Sequence, residues 1–201
     1  MIRLLLLLLL LAPAWADVLE PSAPGRELAR RLMEMDVEHH WLPGHERVDW
    51  ETGRGTGQVG KKRKTWCSSF VAAACKRLGI YILRPPEHPQ TYLSNAQQEW
   101  LLGPGREQGW TRVKDGQEAQ LLANQGQVVI ASWRAPEAKK AGHIAIILPG
   151  PRTLEELEKD GPLVINAGSR NYPRTNLRKA FAAHPGAYDR QEILFFSHAL
   201  P

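Results

Sequence analysis

The amino-acid sequence predicts an α+β fold in which an antiparallel sheet carries a buried helix. Three observations lead to this prediction. Apolar residues at helical spacing dominate the first half of the chain, continuous apolar runs dominate the second half, and one stripe of small and apolar residues runs through 66–78. Helices followed by strands are typical of α+β domains, whose helices pack on an antiparallel sheet.

The N-terminal part of the predicted domain contains a helix and a long irregular segment. From Pro24 to about Asp36 the chain has Leu28, Leu32 and Met35 at helical spacing, which predicts a helix with one buried face. Residues 37–64 are rich in glycine, polar and aromatic residues, which predicts a long ordered loop or flap. Loops of this length in a compact domain are often functional, and we expect a lid.

The segment 66–78 predicts a buried helix with a cysteine in its first turn. Thr65 is a plausible N-cap and Gly79 a suitable C-terminal stop. The inward stripe consists of Cys67, Phe70, Val71, Ala74, Cys75 and Leu78.

The rest of the chain predicts four strands and four further helices. The strands lie in the apolar runs 126–133, 142–150, 162–168 and 192–200, each bounded by Gly or Pro. The helices are expected near 91–102, near 117–124, after a capping box formed by Thr153 and Glu156, and near 176–183.

The first sixteen residues, "MIRLLLLLLLLAPAWA", predict a cleavable signal peptide with Arg3 as its positive end. The apolar run is shorter than the ~20 residues that span a membrane. We therefore expect a periplasmic or secreted protein without a stable membrane anchor, an uncleaved anchor being the alternative. Residues 17–64 would form the N-terminal helix and lid-like loop, and 65–201 the main domain.

Charge and composition limit the classes of partner. The full chain has a pI of about 9.4, and without Arg3 it has 25 Lys and Arg against 21 Asp and Glu. This excess permits attraction to an anionic envelope polymer, but the charges are interspersed, and no arginine-rich or aromatic-basic stripe indicates nucleic-acid binding.

The two cysteines are predicted to be free thiols. Cys67 and Cys75 are eight residues apart in one helix, so their Cα atoms would lie about 12 Å apart, beyond the reach of a disulfide. Cys75, flanked by alanine on the inward stripe, is expected to be a small core residue. We expect a lowered pKa for Cys67, from the helix N-terminus and from the cations of 61–64, Lys61, Lys62, Arg63 and Lys64.

Among the seven histidines, His143 is the best candidate partner for that thiol. It opens a predicted strand after Gly142, and the glycine would allow close approach of a substrate backbone. We expect the loop and terminal histidines to lie at the surface, namely His88, His184 and His198. The spacing of His39, His40 and His45 matches no established zinc pattern, so we expect no metal and no cofactor.

Asn166 is the candidate third group, because a catalytic imidazole needs a partner that fixes its tautomer. It alternates with Ile165 in an apolar strand, and a buried asparagine must be hydrogen-bonded. The partner is either His143 or the backbone of a turn that Asn166 itself closes. Asn171 is the reserve candidate.

These residues in this order resemble the papain-like bacterial cell-wall hydrolases, the NlpC and CHAP peptidases and amidases. The resemblance is carried by "WCSSFVAAACKRLG", "GHIAIILPG" and "INAG" and covers residues 66–80 and 126–168. It implies a papain-like NlpC/CHAP fold with Cys67 as nucleophile, His143 as general base and Asn166 as orienting residue. Many NlpC members have "DCSGF" where this chain has Trp66 and Ser69, which leaves the substrate and the cleaved bond open.

The resemblance implies amide hydrolysis through an acyl-enzyme, with peptidoglycan peptides as the first substrate class. The backbone N–H of Cys67 would serve in the oxyanion hole, with Gln58 as one guess for a second donor. The alternatives are a catalytically inactive envelope-binding module of the same fold, and a papain-like acyltransferase or amidase with another substrate. An inhibitor protein is a further candidate partner.

Overall fold

The computed structural model describes residues 18–137 and 140–201, so the predicted signal peptide lies outside the described residues. In chain order the strands are β1 (Val18–Leu19), β2 (Gly44–Val48), β3 (Gly55–Lys64), β4 (Thr111–Val113), β5 (Val128–Trp133), β6 (His143–Ile147), β7 (Arg152–Thr153), β8 (Leu163–Asn166), β9 (Tyr172–Asn176) and β10 (Leu194–His198). The helices are α1 (Ala23–Met33), α2 (Cys67–Arg77), α3 (Leu93–Leu102), α4 (Gly116–Asn124), α5 (Leu154–Asp160) and α6 (Leu177–Ala180). Within these described ranges, no helix is long and apolar enough to cross a membrane.

A six-stranded sheet with the order β4-β10-β5-β6-β8-β9 forms the centre, and all its neighbouring strands are antiparallel. The predicted α+β class is therefore confirmed. Side chains alternate between its two faces, as strand geometry requires. In β6, Ile144 and Ile146 join the core that contains α2, whereas Ala145 and Ile147 join a second core on the opposite face.

Helix α2 packs on β6 and is the most deeply buried helix of the domain, with every residue from 67 to 75 buried. Its predicted C-terminal stop is confirmed, because Gly79 adopts φ +79°, a left-handed conformation that favours glycine. The predicted N-cap is wrong. Trp66 occupies the N-cap position, and no side chain caps the helix. The first N–H groups of α2 therefore stay available to the residues around them.

The segment 37–64, predicted to be a long loop, instead contains an antiparallel hairpin of β2 and β3. We call residues 44–64 the basic hairpin, because β3 ends in "KKRK". Most of β3 is exposed. Before the hairpin, Trp41 is buried, and Gly53 lies so close to its indole that a Cβ would sit 2.4 Å from the ring. This contact fixes the turn of the hairpin against the domain.

Both cysteines are free and buried, which confirms the prediction that they form no disulfide. The capping box of Thr153 and Glu156 is also confirmed at the start of α5. Two strands of the main sheet, β4 and β9, were not predicted from the sequence. Both lie at the edges of the sheet, and β9 contains Pro173, which is tolerated at an edge because it has no N–H to donate.

Two buried amides of α4 connect the middle strands. Gln120 accepts a hydrogen bond from the N–H of Leu163 at 2.8 Å and donates one to the carbonyl of Leu148 at 3.1 Å. Asn124 accepts from the N–H of Gly150 at 2.9 Å and donates to the carbonyl of Leu19 at 2.8 Å. The two side chains hold the end of β6 beside the start of β8, and these are the strands that carry His143 and Asn166.

Replacing Gln120 by alanine is expected to lower the free energy of unfolding by about 1–3 kcal/mol, because the buried backbone groups would lose their partners. Urea denaturation followed by circular dichroism measures this change. Gln117→Ala is the matched control, since Gln117 is exposed on the same helix. Equal denaturation midpoints for the two variants would contradict a structural role for Gln120.

Candidate active site

The sulfur of Cys67 lies against the start of β6. The backbone N–H groups of Ile144, Ser68 and Cys67 itself favour its charged form, so each of them lowers the pKa of the thiol. The sulfur therefore lies near the residue that follows His143. Cys67 keeps 4% of its surface exposed, so access to the thiol is narrow.

His143 and Asn166 are in direct contact. Nε2 of His143 lies 2.7 Å from Oδ1 of Asn166, and Nδ2 of Asn166 donates to the carbonyl of Arg170 at 3.2 Å. The carbonyl can only accept, so it fixes the amide with Oδ1 towards the imidazole. Nε2 must then carry the ring proton, which leaves the lone pair of Nδ1 free to accept a proton. Asn166 therefore has both of the partners that were predicted as alternatives, the imidazole of His143 and the backbone of a turn that Asn166 closes.

Gly168 provides the space for the imidazole. A Cβ at this position would lie 2.9 Å from Nδ2 of Asn166 and 3.2 Å from Cε1 of His143. The N–H of Gly168 donates to Oδ1 of Asn171 at 3.1 Å, and Nδ2 of Asn171 donates to the carbonyl of Val37 at 2.7 Å. Asn171, the reserve candidate, therefore anchors the loop beneath the imidazole to the N-terminal segment.

His184 was predicted to be a surface residue, and this prediction is wrong. Its ring lies 5.3 Å from that of His143, tilted by 30°, and 4.6 Å from that of Trp133. Phe181 meets His143 edge-on at 4.7 Å. The signal for this cluster is helical spacing, because Leu177, Phe181 and His184 follow each other at intervals of four and three residues.

Burial dominates the protonation of the site. It raises the pKa of the Cys67 thiol to about 11. It also lowers the pKa of His143 to about 4, an effect that the neighbouring charge of His184 increases and the hydrogen bond to Asn166 partly opposes. At neutral pH the thiol and the imidazole are therefore both uncharged.

The expectation of a lowered pKa for Cys67 is thus wrong. The loss of solvation outweighs the backbone N–H groups at the start of α2, which act in the expected direction. The cations at 61–64 belong to the exposed strand β3 and do not contribute to the shift.

One further expectation from the sequence is not met. Gly142 packs against its own domain, since a Cβ there would lie 2.2 Å from the carbonyl of Trp133 and 2.5 Å from Oδ1 of Asn95. Gln58 is an exposed residue of β3, and its part in an oxyanion hole stays a prediction.

One further polar group lies directly before Cys67 in the chain. The indole N–H of Trp66, directly before Cys67, is buried and has no hydrogen-bond partner among the described residues. Within 18–137 and 140–201, no group of three or more His, Cys, Asp and Glu side chains is arranged to hold a metal ion.

Comparison with known proteins indicates a distant relationship to one class of enzyme, the amidases that act on the bacterial cell wall. Over 93 residues the chain is 33% identical to the peptidoglycan amidase Tse1 of Pseudomonas aeruginosa strain PAO1. The match covers 46% of this chain and 51% of the relative, so the chain spans about half the length of the relative that it matches. No family model matches the chain.

Alkylation of Cys67 by iodoacetamide is expected to accelerate as the pH rises above 7, because only the thiolate reacts and its pKa is raised to about 11. Peptide mass spectrometry after timed quenching gives the rate at each cysteine. Cys75 is the internal control, since it is fully buried and its pKa is raised to about 12, and it should be labelled later. A rate at Cys67 that is constant between weakly acidic and weakly alkaline pH would contradict a neutral resting thiol.

Replacing His184 by phenylalanine is expected to raise the pKa of His143, because a positive charge on His184 opposes a second charge on the neighbouring ring. Phenylalanine keeps the aromatic contact with Trp133, so the burial of His143 changes little. Imidazole NMR resonances followed against pH report the shift, and His88→Phe in an exposed loop is the control. An unchanged titration of His143 would show that the two rings are not electrostatically coupled.

Proposed function

We propose that this chain is an exported cysteine hydrolase with a papain-like NlpC/CHAP domain that cleaves amide bonds in peptidoglycan peptides through an acyl-enzyme. The observation that carries the proposal is the hydrogen-bond chain from the carbonyl of Arg170 through Asn166 to His143. This chain leaves Nδ1 as a base on the residue that directly precedes Ile144, whose N–H acts on the thiol of Cys67. The distant similarity to a peptidoglycan amidase supports the substrate class.

Acylation begins with proton transfer from the thiol of Cys67 to Nδ1 of His143. The sulfur attacks the carbonyl carbon of the scissile amide, and the imidazolium then gives its proton to the leaving amine as the C–N bond breaks. A thioester on Cys67 remains. Water, deprotonated by His143, attacks this thioester and releases the acid product together with the free thiol. Asn166 keeps the imidazole in the required orientation throughout both steps.

The N-terminus of α2 would stabilise the charges that form during these steps. The N–H groups of Cys67 and Ser68 lower the pKa of the thiol in the resting site, and no side chain caps this helix end. They favour the thiolate and then the negative oxygen of the tetrahedral intermediate. In a buried site such dipoles act with little screening by water, which offsets the cost of charging two neutral groups.

Replacing Cys67 by alanine is expected to abolish the release of peptides from purified sacculi, because the nucleophile is lost. Replacing His143 by alanine should lower the rate by roughly 10²–10⁴-fold, the usual contribution of a general acid–base. Mass spectrometry of the released fragments also identifies the cleaved bond from the new amino terminus. Cys75→Ala is the matched control, since it removes the other buried thiol and should leave the rate nearly unchanged.

Three outcomes would contradict the proposal. If the wild-type protein binds sacculi without releasing fragments, the chain is an inactive envelope-binding module. If it releases fragments in which the acyl group has moved to another amine instead of water, the same chemistry serves acyl transfer. Fragments released equally by the wild type and by Cys67→Ala would place the activity outside this thiol.

A further inference from the structure

The basic hairpin is an unusual element, because a two-stranded sheet is stable in water only when something covers it or supports it. Strands β2 and β3 pair with each other, and within the described ranges neither belongs to the main sheet. Most of the side chains of both strands are exposed. Such an element is expected to present a surface to a binding partner.

The charge on this surface is not neutralised within the protein. In the part of the chain that the structure describes, Lys61, Lys62 and Lys64 form no ion pair. The carboxylates of the hairpin have other partners. Glu46 of β2 accepts the N–H of Gly57 at 2.7 Å, and Glu51, in the turn at the other end of the hairpin, pairs with Lys76 at 2.6 Å. The end of β3 is therefore a cluster of free positive charges.

The hairpin is attached to the loop that holds the candidate catalytic residues. Nη2 of Arg63 donates to the carbonyl of Ser169 at 3.0 Å. Ser169 directly follows Gly168, the residue that packs against His143 and Asn166. A partner that binds the lysines of β3 is thereby held at the edge of the site.

We propose that the basic hairpin binds the free carboxylates of peptidoglycan peptides and holds this polymer beside Cys67. The proposal rests on the proposed function. Lysine ammonium groups act as mobile point charges, which suits carboxylates repeated along a flexible polymer. Several such charges raise the local concentration of an anionic substrate at the site.

Two other kinds of polyanion fit the hairpin less well. Strands β2 and β3 contain no Phe, Tyr or Trp on which nucleic-acid bases could stack. An anionic membrane surface requires an apolar face beside the cations, and the exposed large apolar side chain on these strands is Val59 alone. Charge without an apolar or aromatic face favours a hydrated polymer.

Binding to purified sacculi tests this proposal, in a Cys67→Ala background that keeps the polymer intact. The hairpin variant replaces Lys61, Lys62 and Lys64 by glutamine. The matched control replaces Lys114, Lys159 and Lys179, which are exposed elsewhere, so both variants lose the same charge. In co-sedimentation at low salt, the hairpin variant should bind about ten-fold more weakly than the control, and the difference should disappear at high salt.

The carboxylate is tested separately, with sacculi whose carboxylates have been converted to amides. On these sacculi, the protein with the unmodified hairpin should bind no more tightly than the hairpin variant. Equal binding by the hairpin and control variants, or undiminished binding to amidated sacculi, would overturn the proposal. A loss seen only with vesicles of anionic lipid would assign the hairpin to a membrane surface and would also overturn it.

This result is independent of the proposed function, because binding is measured without turnover. In protein that keeps Cys67, the hairpin variant should cleave a short uncharged peptide amide at the wild-type rate. It should release fragments from sacculi more slowly than the wild type. If no form cleaves any amide while the difference in binding persists, the proposed function fails and the binding role of the hairpin stands. If both substrates are cleaved at unchanged rates, the hairpin has no part in substrate capture.

Discussion

The 2.7 Å hydrogen bond between Nε2 of His143 and Oδ1 of Asn166 is the contact on which the candidate site depends. The carbonyl of Arg170 orients the amide, the amide fixes the ring proton, and the ring proton determines which nitrogen is left as a base. The position of Arg170 depends in turn on the loop 167–171, which Asn171 holds against the N-terminal segment. The chemistry of one imidazole is thus set by a loop far away in sequence.

Burial raises the free energy that is needed to charge the thiol of Cys67 and the imidazole of His143. Cys67 and His143 each keep 4% of their surface exposed, so neither the thiolate nor the imidazolium is well solvated in the resting site. Both groups are neutral in consequence. In the mechanism proposed above, their charges form only when a substrate carbonyl reaches the N–H groups at the start of α2, so that the substrate supplies part of the stabilisation that water cannot.

The apolar pattern predicted strand β6 and helix α2, which carry the candidate site, because both consist largely of apolar residues that lie in the core. It could not predict β3 or β9, whose sequences "GTGQVGKKRK" and "YPRTN" have no apolar alternation and become strands only through their partners. The raised pKa of Cys67 was missed for a related reason. Helix position and local charge are visible in the sequence, but desolvation depends on packing between distant segments.

The candidate site also depends on the register of β6, because the two faces of this strand carry different parts of it. Ile144, whose N–H lowers the pKa of Cys67, belongs to the core beneath α2, whereas the rings around His143 belong to the opposite core. A slip of one residue would exchange these faces, so that His143 would enter the core beneath α2 and Ile144 would leave it. Pairing on both sides, Ile146 with Ile130 of β5 and with Ile165 of β8, prevents such a slip. The position of a central strand therefore fixes on which side of the sheet the imidazole meets the side chain of Asn166.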